Sequence, residues 1–285
     1  MRNIDLDSLQ IFKAVVDYGG ITKAASHLNR VQSNITTRVK NLEDKLGVKL
    51  FERHGGRLTL SSHGQLLMDY AEKLLRLSSE AESALRCGKP TGILRIGTME
   101  STAAIRLPSL LSQFHRQYPD VQIELVSGTS GALVNKIHRL DMEAAFVAEP
   151  FDTTGLEKQT SFIEDLVLIT PKTVPPVKAS RDLKGKTIIA FAAGCSYRRI
   201  LEDWLSMEGL VAERIMELAS YHAIVACVAA GSGIAIVPHA LLATLRVENE
   251  VNISMLPQRF ARASTCLVWR KNHTSALLEA FRNQL

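Results

Sequence analysis

Apolar residues at Leu6, Leu9, Phe12, Val15 and Val16 recur at helical spacing, and the pattern stops at Gly19-Gly20, so the chain opens on a helix whose stripe must find a core. Asp7 with Gln10 resembles a capping box at its start. A second, short helix follows, with Thr22 as its cap, Ala24 and Ala25 small enough for a neighbour to approach closely, and Leu28 turned to the core. In the third segment Ile35, Val39, Leu42 and Leu46 share one helical face, which leaves Ser33, Thr36, Thr37 and Lys40 on the other. After Gly47 the period shortens. Val48 to Glu52, a His54-Gly55-Gly56 turn, and Arg57 to Leu60 read as a two-stranded hairpin. Three helices and a hairpin make a winged helix.

The helical period then returns and persists. Ser62 with Gln65 forms a possible capping box, and Leu67, Tyr70, Leu74, Leu77, Ala81 and Ala84 repeat in steps of three and four. This is a coiled-coil stripe; the alternative is a helix lying on its own domain's core. Because no adjacent sequence is available to cover the stripe, dimerisation is expected. From Ser62 to Cys87 the helix would be about 39 Å long, which holds two copies of the winged helix apart. The composition Gly88-Lys89-Pro90-Thr91-Gly92 reads as a hinge.

Beyond the hinge, strand and helix patterns alternate: Ile93 to Gly97, a helix Ser101 to Tyr118, Val121 to Val126, a helix Ser130 to Arg139, then Ala144 to Ala148. A second set comprises strands Asp165 to Thr170, Lys186 to Phe191, Ile215 to Leu218 and Gly233 to Val237, with helices from Ser196, Tyr221 and after Pro238. A strand Thr265 to Trp269 and a helix from Thr274 close the chain. The order predicts an α/β domain of two open lobes joined by two crossings, with ligands beyond the carboxyl ends of the strands. That rule selects Met99, Glu100, Ser101 and Thr102; Ser127, Gly128, Thr129 and Ser130; Cys195, Ser196, Tyr197 and Arg198; and Tyr221 with His222. Several helix N-termini would point into one cleft, where unpaired amides favour a carboxylate and the hydroxyls add hydrogen bonds. Each hydroxyl taken alone is equally a plain helix cap.

Composition sharpens this picture. With 285 residues, 46% hydrophobic and 22% charged, the chain can bury two or three cores. No leader-like N-terminus and no bilayer-length apolar run is present in the sequence, so a soluble cytoplasmic protein without a membrane partner is expected. Cys87, Cys195, Cys227 and Cys266 lie far apart without metal-ligand spacing, so neither a disulfide framework nor a metal site is indicated. Residues 1–60 hold ten Lys/Arg against six Asp/Glu and residues 91–285 hold 20 against 19, so nearly all of the net +5 belongs to the winged helix. A basic segment suits a polyanion. A third helix whose outer face is Ser, Thr and Lys rather than Glu/Lys pairs suits base edges and phosphates. Arg53 and Arg57 flank the hairpin turn, where they either reach phosphates or are solvated loop charges. No catalytic constellation is present: there is no Gly-x-Ser-x-Gly, phosphate loop or His-Glu-x-x-His, and His115, His138, His222 and His239 stand isolated. Neither catalysis nor a cofactor is expected. A solute-binding protein would explain only the C-terminal half.

From Leu9 to Gly64 the chain resembles the N-terminal domain of LysR-type transcriptional regulators, through Phe12, Gly20-Ile21-Thr22-Lys23-Ala24-Ala25, Leu28, Gln32, Leu42-Glu43, Leu46-Gly47-Val48, Leu50-Phe51-Glu52-Arg53 and Leu58-Thr59-Leu60-Ser61 with Gly64. The C-terminal half resembles that family's periplasmic-binding-protein-like effector domain, more loosely, through Gly231-Ser232-Gly233-Ile234-Ala235 and Pro238. The resemblance implies a recognition helix beginning near Gln32, with Gln32, Ser33, Thr36 and Thr37 on bases or phosphates and Lys40 and Arg53 on the backbone. It also implies an effector between the lobes, near Glu100 to Thr102, Ser127 to Ser130, and Ser196. Two departures matter. Val31-Gln32-Ser33 stands where the family commonly has Ser-Gln-Pro, removing the capping serine, and Thr37 replaces an arginine that reads guanine.

The expected protein is a regulator with a DNA-binding domain (1–60), a linker helix and hinge (61–90), and an effector domain (91–285) whose lobes span about 91–164 with 266–285, and 165–265. It would bind an inverted repeat in double-stranded DNA as a dimer, assembling further to a tetramer, under the control of a small polar effector. Glu100 would repel an anion, so a zwitterionic metabolite is expected, with Arg198 on its carboxylate. The alternative is thiol-based redox sensing by Cys195, next to Ser196, Arg198 and Arg199 at a helix start.

Overall fold

The computed structural model describes residues 4–54, 57–85, 90–273 and 275–285; the side chains of residues 53, 54, 57, 80, 83 and 84 lie outside the described ones. The chain divides into two compact units, residues 1–87 and 88–285.

In the first unit, α1 (Leu6–Asp17), α2 (Ile21–His27) and α3 (Gln32–Leu46) precede a hairpin, β1 (Phe51–His54) with β2 (Arg57–Leu60), and the long α4 (Ser62–Leu85). Ile11, Val15, Ala24, Ala25, Ile35 and Val39 close one side of the core, and Leu9, Phe12, Leu42 and Leu50 the other. The helix starts differ from expectation. Asp5, not Asp7, caps α1, accepting from the Ser8 amide at 2.8 Å. That bond, foremost, holds the Asp5 carboxyl down at about 2. Asp7 instead pairs with Arg30 and Arg38, tying α3 to α1. Gly20, at φ +148, begins α2 in place of Thr22, a backbone state open to glycine. Ser61, not Ser62, begins α4: its Oγ accepts from the Gly64 amide and donates to the Lys49 carbonyl. The hairpin starts at Phe51 rather than Val48, with Phe51 opposite Leu60 and His54 opposite Arg57. Gly55 and Gly56 of the expected turn lie outside the described residues, as do Cys87, Gly88 and Lys89 of the expected helix end and hinge.

Glu43 joins α3 to the hairpin. Its carboxylate accepts from the Leu50 amide at 2.8 Å, the Phe51 amide at 3.3 Å and Lys49 Nζ at 2.8 Å. Burial pushes this carboxyl upward, but Lys49 and the two amides outweigh it and leave the group below its ordinary value. Gly64 completes the joint: a Cβ there would stand 2.1 Å from the Leu50 carbonyl oxygen.

In the second unit, β3 (Gly92–Thr98) is followed by α5 (Glu100–Ile105), α6 (Leu107–Gln117), β4 (Val121–Ser127), α7 (Ser130–His138), β5 (Ala144–Ala148) and β6 (Leu156–Pro171). Then come β7 (Ile188–Ala190), α8 (Ser196–Ser206), β8 (Ile215–Glu217), α9 (Tyr221–Ala229), β9 (Ala235–Pro238), α10 (His239–Leu245), β10 (Val251–Met255), β11 (Arg262–Arg270) and α11 (Ala276–Arg282). The first lobe orders its strands β4-β3-β5-β11-β6, with β3 parallel to β4 and β5 and the remaining pairs antiparallel. The second half of β6 continues into the other lobe, where β10 and β9 pair with it antiparallel; β7 pairs with β8 there. The expected helix from Ser101 to Tyr118 is two helices, broken at Arg106, because Pro108 lacks the N–H that would extend the ladder. The strand expected from Asp165 begins at Leu156, β10 was not expected, and β11 re-enters the first lobe at Arg262, ahead of the expected boundary at 266.

Two outcomes test the joint in the first unit. Gly64→Ala should lower the unfolding free energy of this unit by about 3 kcal/mol, the upper range for forced overpacking; an unchanged urea midpoint would show that α4 is not pinned against Leu50. Glu43→Gln keeps an acceptor for the amides but loses the charge. Because the folded carboxyl sits below its ordinary value, its contribution is full above the unfolded-state pKa and vanishes as pH falls through the folded one. The variant should therefore be about 1–2 kcal/mol less stable at pH 7, with the gap closing in acid. A gap that stays constant down to pH 3 refutes the charge assignment.

Candidate functional site

The α3 surface is the first candidate. Val31 precedes it without a side-chain cap, so this helix starts on backbone geometry alone. Ile35, Val39, Leu42 and Glu43 face inward. Gln32, Ser33, Thr36, Thr37 and Lys40 are all exposed, as the sequence pattern requires. Thr36 donates its hydroxyl proton to the Gln32 carbonyl at 3.0 Å, so toward an external partner it acts as an acceptor. Asn34, Arg38 and Asn41 are also exposed on this helix and were not anticipated; their polarity was visible, but not their position relative to the buried stripe. Arg53 and Arg57 contribute described backbone to the hairpin, opposite Leu58 and His54, and their side chains lie outside the described ones.

The α4 stripe needs one correction. Leu67 is 9% exposed and packs with Leu9, Phe12, Leu42 and Leu50 in its own unit's core, so it is not available to a partner chain. Leu66, one helical position round, is exposed instead, in line with exposed Tyr70, Leu74, Leu77 and Leu85. Ala81 is exposed on the same helix, and the side chain of Ala84 lies outside the described ones. An apolar row of this length left to water in a helix of 24 residues, about 36 Å, is a surface awaiting cover.

The third candidate lies between the lobes of the second unit. Ser130, at the start of α7, and Ser196, at the start of α8, come from opposite lobes. Their hydroxyls lie 3.0 Å apart, with Ser196 Oγ donating to the Ala148 carbonyl at 2.6 Å and Ser130 Oγ accepting from the Ala148 amide at 3.1 Å. These two serines bridge the lobes; the capping of α7 falls to Thr129, which accepts from the Ala132 amide. Beside them the Gly131 amide donates to the Gly194 carbonyl at 3.1 Å; a Cβ on Gly131 would sit a tight 3.3 Å from the Gly194 Cα, and Gly194 holds φ +91, so glycine at both positions eases this close approach.

This seam separates two openings. On one side a cavity of about 540 Å³ is lined by Glu100, Ser127, Gly128, Thr129, Phe191 and Glu217, among others. It runs inward to a small pocket walled by Met99, Ser130, Cys195, Ser196, Tyr197 and Tyr221, which shares Glu100, Gly128, Thr129 and Phe191 with it. On the other side a groove of about 430 Å³ runs past Asn135, His138, Asp152, Arg198 and Arg199. Arg198 thus opens away from Glu100. Its guanidinium is held by Glu202 at 2.9 Å and Glu217 at 2.6 Å, and these bonds raise its pKa further. The expected pairing of Glu100 and Arg198 around one zwitterion does not occur. Ser101 and Thr102 are 1% and 2% exposed, behind the wall rather than in it, and His222 is exposed outside both pockets.

Glu100 spans the cleft: its carboxylate accepts from the Tyr221 amide at 3.1 Å, at the start of α9 in the other lobe. Burial raises its pKa, against the lowering by that amide and by His222. The helix start most suited to a ligand anion is therefore filled by the chain's own carboxylate. Phe191 and Glu217, which sequence reading missed, stand at the carboxyl ends of β7 and β8, Phe191 just beyond its strand and Glu217 as the last residue of its own, so the strand-end rule reaches them once those short strands are located. Cys195 lines the inner pocket, and burial raises its thiol pKa despite the amides of Arg198 and Tyr197. Among the described residues no cluster fits a metal ion and no helix is long and apolar enough to cross a membrane.

Comparison with known proteins agrees with this arrangement. Residues 6–65 match the model of the bacterial regulatory helix-turn-helix protein, lysR family, and residues 88–285 match the LysR substrate binding domain. The chain is 35% identical to the HTH-type transcriptional regulator GltR of Bacillus subtilis (strain 168), over 94% of this chain and 91% of that one. It is 34% identical to the regulator SoxR of Arthrobacter sp. (strain TE1826), over 94% and 91%. Among solved structures, full-length CbnR complexed with its target DNA has the same fold, with a TM-score of 0.70, 22% identity, and coverage of 99% of this chain and 98% of that one. The α3 surface, the linker helix and the two-lobed cleft are accordingly those of a LysR-type DNA-binding transcriptional regulator, the family to which this chain belongs.

Proposed function

We propose that this regulator binds an inverted-repeat DNA site as a dimer held through α4, reads bases with α3, and is controlled by a small polar molecule in the cavity beside Glu100. The observation that carries the DNA reading is the α3 surface. Gln32, Ser33, Thr36, Thr37 and Lys40 stand exposed in one patch of a winged helix whose remaining cations on this helix, Arg38 and Lys45, are paired internally with Asp7 and Asp5. Hydrogen-bonding groups of this size match major-groove base edges, and threonine in place of arginine at residue 37 favours a contact other than bidentate guanine recognition. The exposed stripe of Leu66, Tyr70, Leu74 and Leu77 supports dimerisation, which sets two α3 helices about one DNA turn apart or a multiple of it. Self-association to a tetramer is the further step of this reading. The effector reading rests on the cavity and on the serine bridge that holds its two walls together. The raised pKa and burial of the Cys195 thiol favour ligand binding there over thiol sensing, which requires an accessible thiolate.

Footprinting on the promoter region next to the protein's own gene should show a protected inverted repeat; absence of any such repeat would sink the reading. Lys40→Ala should weaken binding about equally on all sequences and flatten the log K against log salt slope by about 0.9 per subunit, about 1.8 for the dimer. Thr37→Val should instead cost five- to tenfold at one base pair per half-site, the worth of one hydrogen bond, with the salt slope unchanged. Uniform loss with Thr37→Val would show that this residue contacts backbone. Leu74→Lys should convert the dimer to monomer in sedimentation, and an unchanged mass would place the dimer interface elsewhere.

A further inference from the structure

The charge lining the cavity beside the Ser130–Ser196 bridge is one-sided. Two acidic residues line it, Glu100 and Glu217, and among the described residues no Lys or Arg does. Glu217 shares Arg198 with Glu202, so one cation serves two carboxylates and the group of three keeps a net negative charge. Among the described residues Glu100 accepts from the Tyr221 amide alone, which leaves acceptor positions on both of its oxygens. His222, exposed at the same helix start, is the basic residue that favours the charged form of Glu100 among the described residues. The α9 amides, which would otherwise draw an anion, are already met by Glu100, and α7 is capped by Thr129.

The shape adds to the charge. Phe191 lines both the outer cavity and the inner pocket and packs edge-on against Tyr221, ring centroids 4.8 Å apart. An aromatic face next to a half-buried carboxylate is a site where a cation gains from both.

We propose that the occupant of this cavity is a small organic cation, a protonated amine whose charge is met by Glu100 and Glu217 and whose body lies against Phe191. The assignment rests on the reading of the inter-lobe cleft as the effector site and adds the chemical class. It also gives Glu100 two tasks that compete for the same oxygens: bridging the lobes through the Tyr221 amide and receiving the ammonium. Binding is thereby coupled to the contact between lobes, since an occupant that draws on the carboxylate alters what holds α9.

Benzylammonium, benzyl alcohol and benzoate share size and ring and differ only in charge, so their affinities for the full-length chain, measured by ligand-observed NMR titration, isolate the effect of charge. Benzylammonium should bind at least tenfold more tightly than benzoate. Glu100→Gln, which keeps an acceptor for the Tyr221 amide, should weaken it about tenfold, the worth of one charge-assisted hydrogen bond. Adding Glu217→Gln, which releases Arg198 from one partner, should turn the preference toward benzoate. Equal or tighter binding of benzoate or benzyl alcohol by the unaltered chain overturns the cation assignment, as does no binding of any of the three. Ala219→Trp, at an exposed position of the rim, fills the outer cavity, and Ser127→Trp does so from the other lobe should the first variant fold poorly. Benzylammonium affinity undiminished in a folded filler variant would mean that the cation sits elsewhere and the cleft reading itself fails. Benzoate binding abolished by the filler would leave the cleft standing and remove only the cation.

Discussion

One strand serves both lobes of the effector domain. β6 pairs with β11 through its first half, with a bulge at Ser161, and with β9 and β10 through its second, so one strand carries the chain from one lobe into the other. At the crossing lies Glu164, 3% exposed, which Arg106 meets with two hydrogen bonds of 2.8 and 3.1 Å. A carboxylate buried to this degree is tolerated only with its partner in place. Arg106 occupies the break between α5 and α6, and so the short helix that carries Glu100 is fixed to the crossing. The serine bridge, the close approach of Gly131 to Gly194 and the reach of Glu100 to α9 join the same two lobes that β6 connects.

Where the sequence was informative, a single period was responsible. The winged helix and the α/β order could be read because Ile35, Val39 and Leu42, or Ala144 to Ala148, repeat with the spacing of the element they build. Where it was silent, the deciding partner was distant. Leu156 to Glu164 carries Glu157, Lys158 and Gln159 among its apolar residues and reads as loop; it becomes strand by pairing with β11, about a hundred residues later. Helix starts slipped by one or two residues because several candidate capping residues stand side by side, and the choice between Ser61 and Ser62 was settled by the Lys49 carbonyl across the hairpin. Leu66 and Leu67 differ by 100° of helical rotation, too little for an apolar count to tell which one faces the core.

The site shows the same division. The strand-end rule selected residues that the fold brings together: Ser127 to Ser130, Glu100, Ser196 and Tyr221 converge on the two connected cavities. Arg198 could not be paired correctly from sequence because only one of its two carboxylate partners, Glu202 one turn along the helix, is local; Glu217 arrives from another element, and the arginine lines the far groove. Ser101 and Thr102 share a helix turn with Glu100 but point behind the wall, a distinction that depends on the break at Arg106.

Glu43 has a consequence beyond holding the hairpin. It lies on the same helix that faces DNA in the proposed reading, yet its charge is turned inward and met by Lys49 and two amides. Arg38 and Lys45 are likewise held by Asp7 and Asp5. Among the described residues Lys40 is then the one cation of this helix outside an ion pair, so most of what the helix offers a duplex is dipolar and short-ranged. Random DNA, which attracts chiefly by charge, is held weakly by such a surface and released quickly. On that reading, the protein's time on the chromosome goes mainly to scanning, and long residence is reserved for a sequence whose base edges fit.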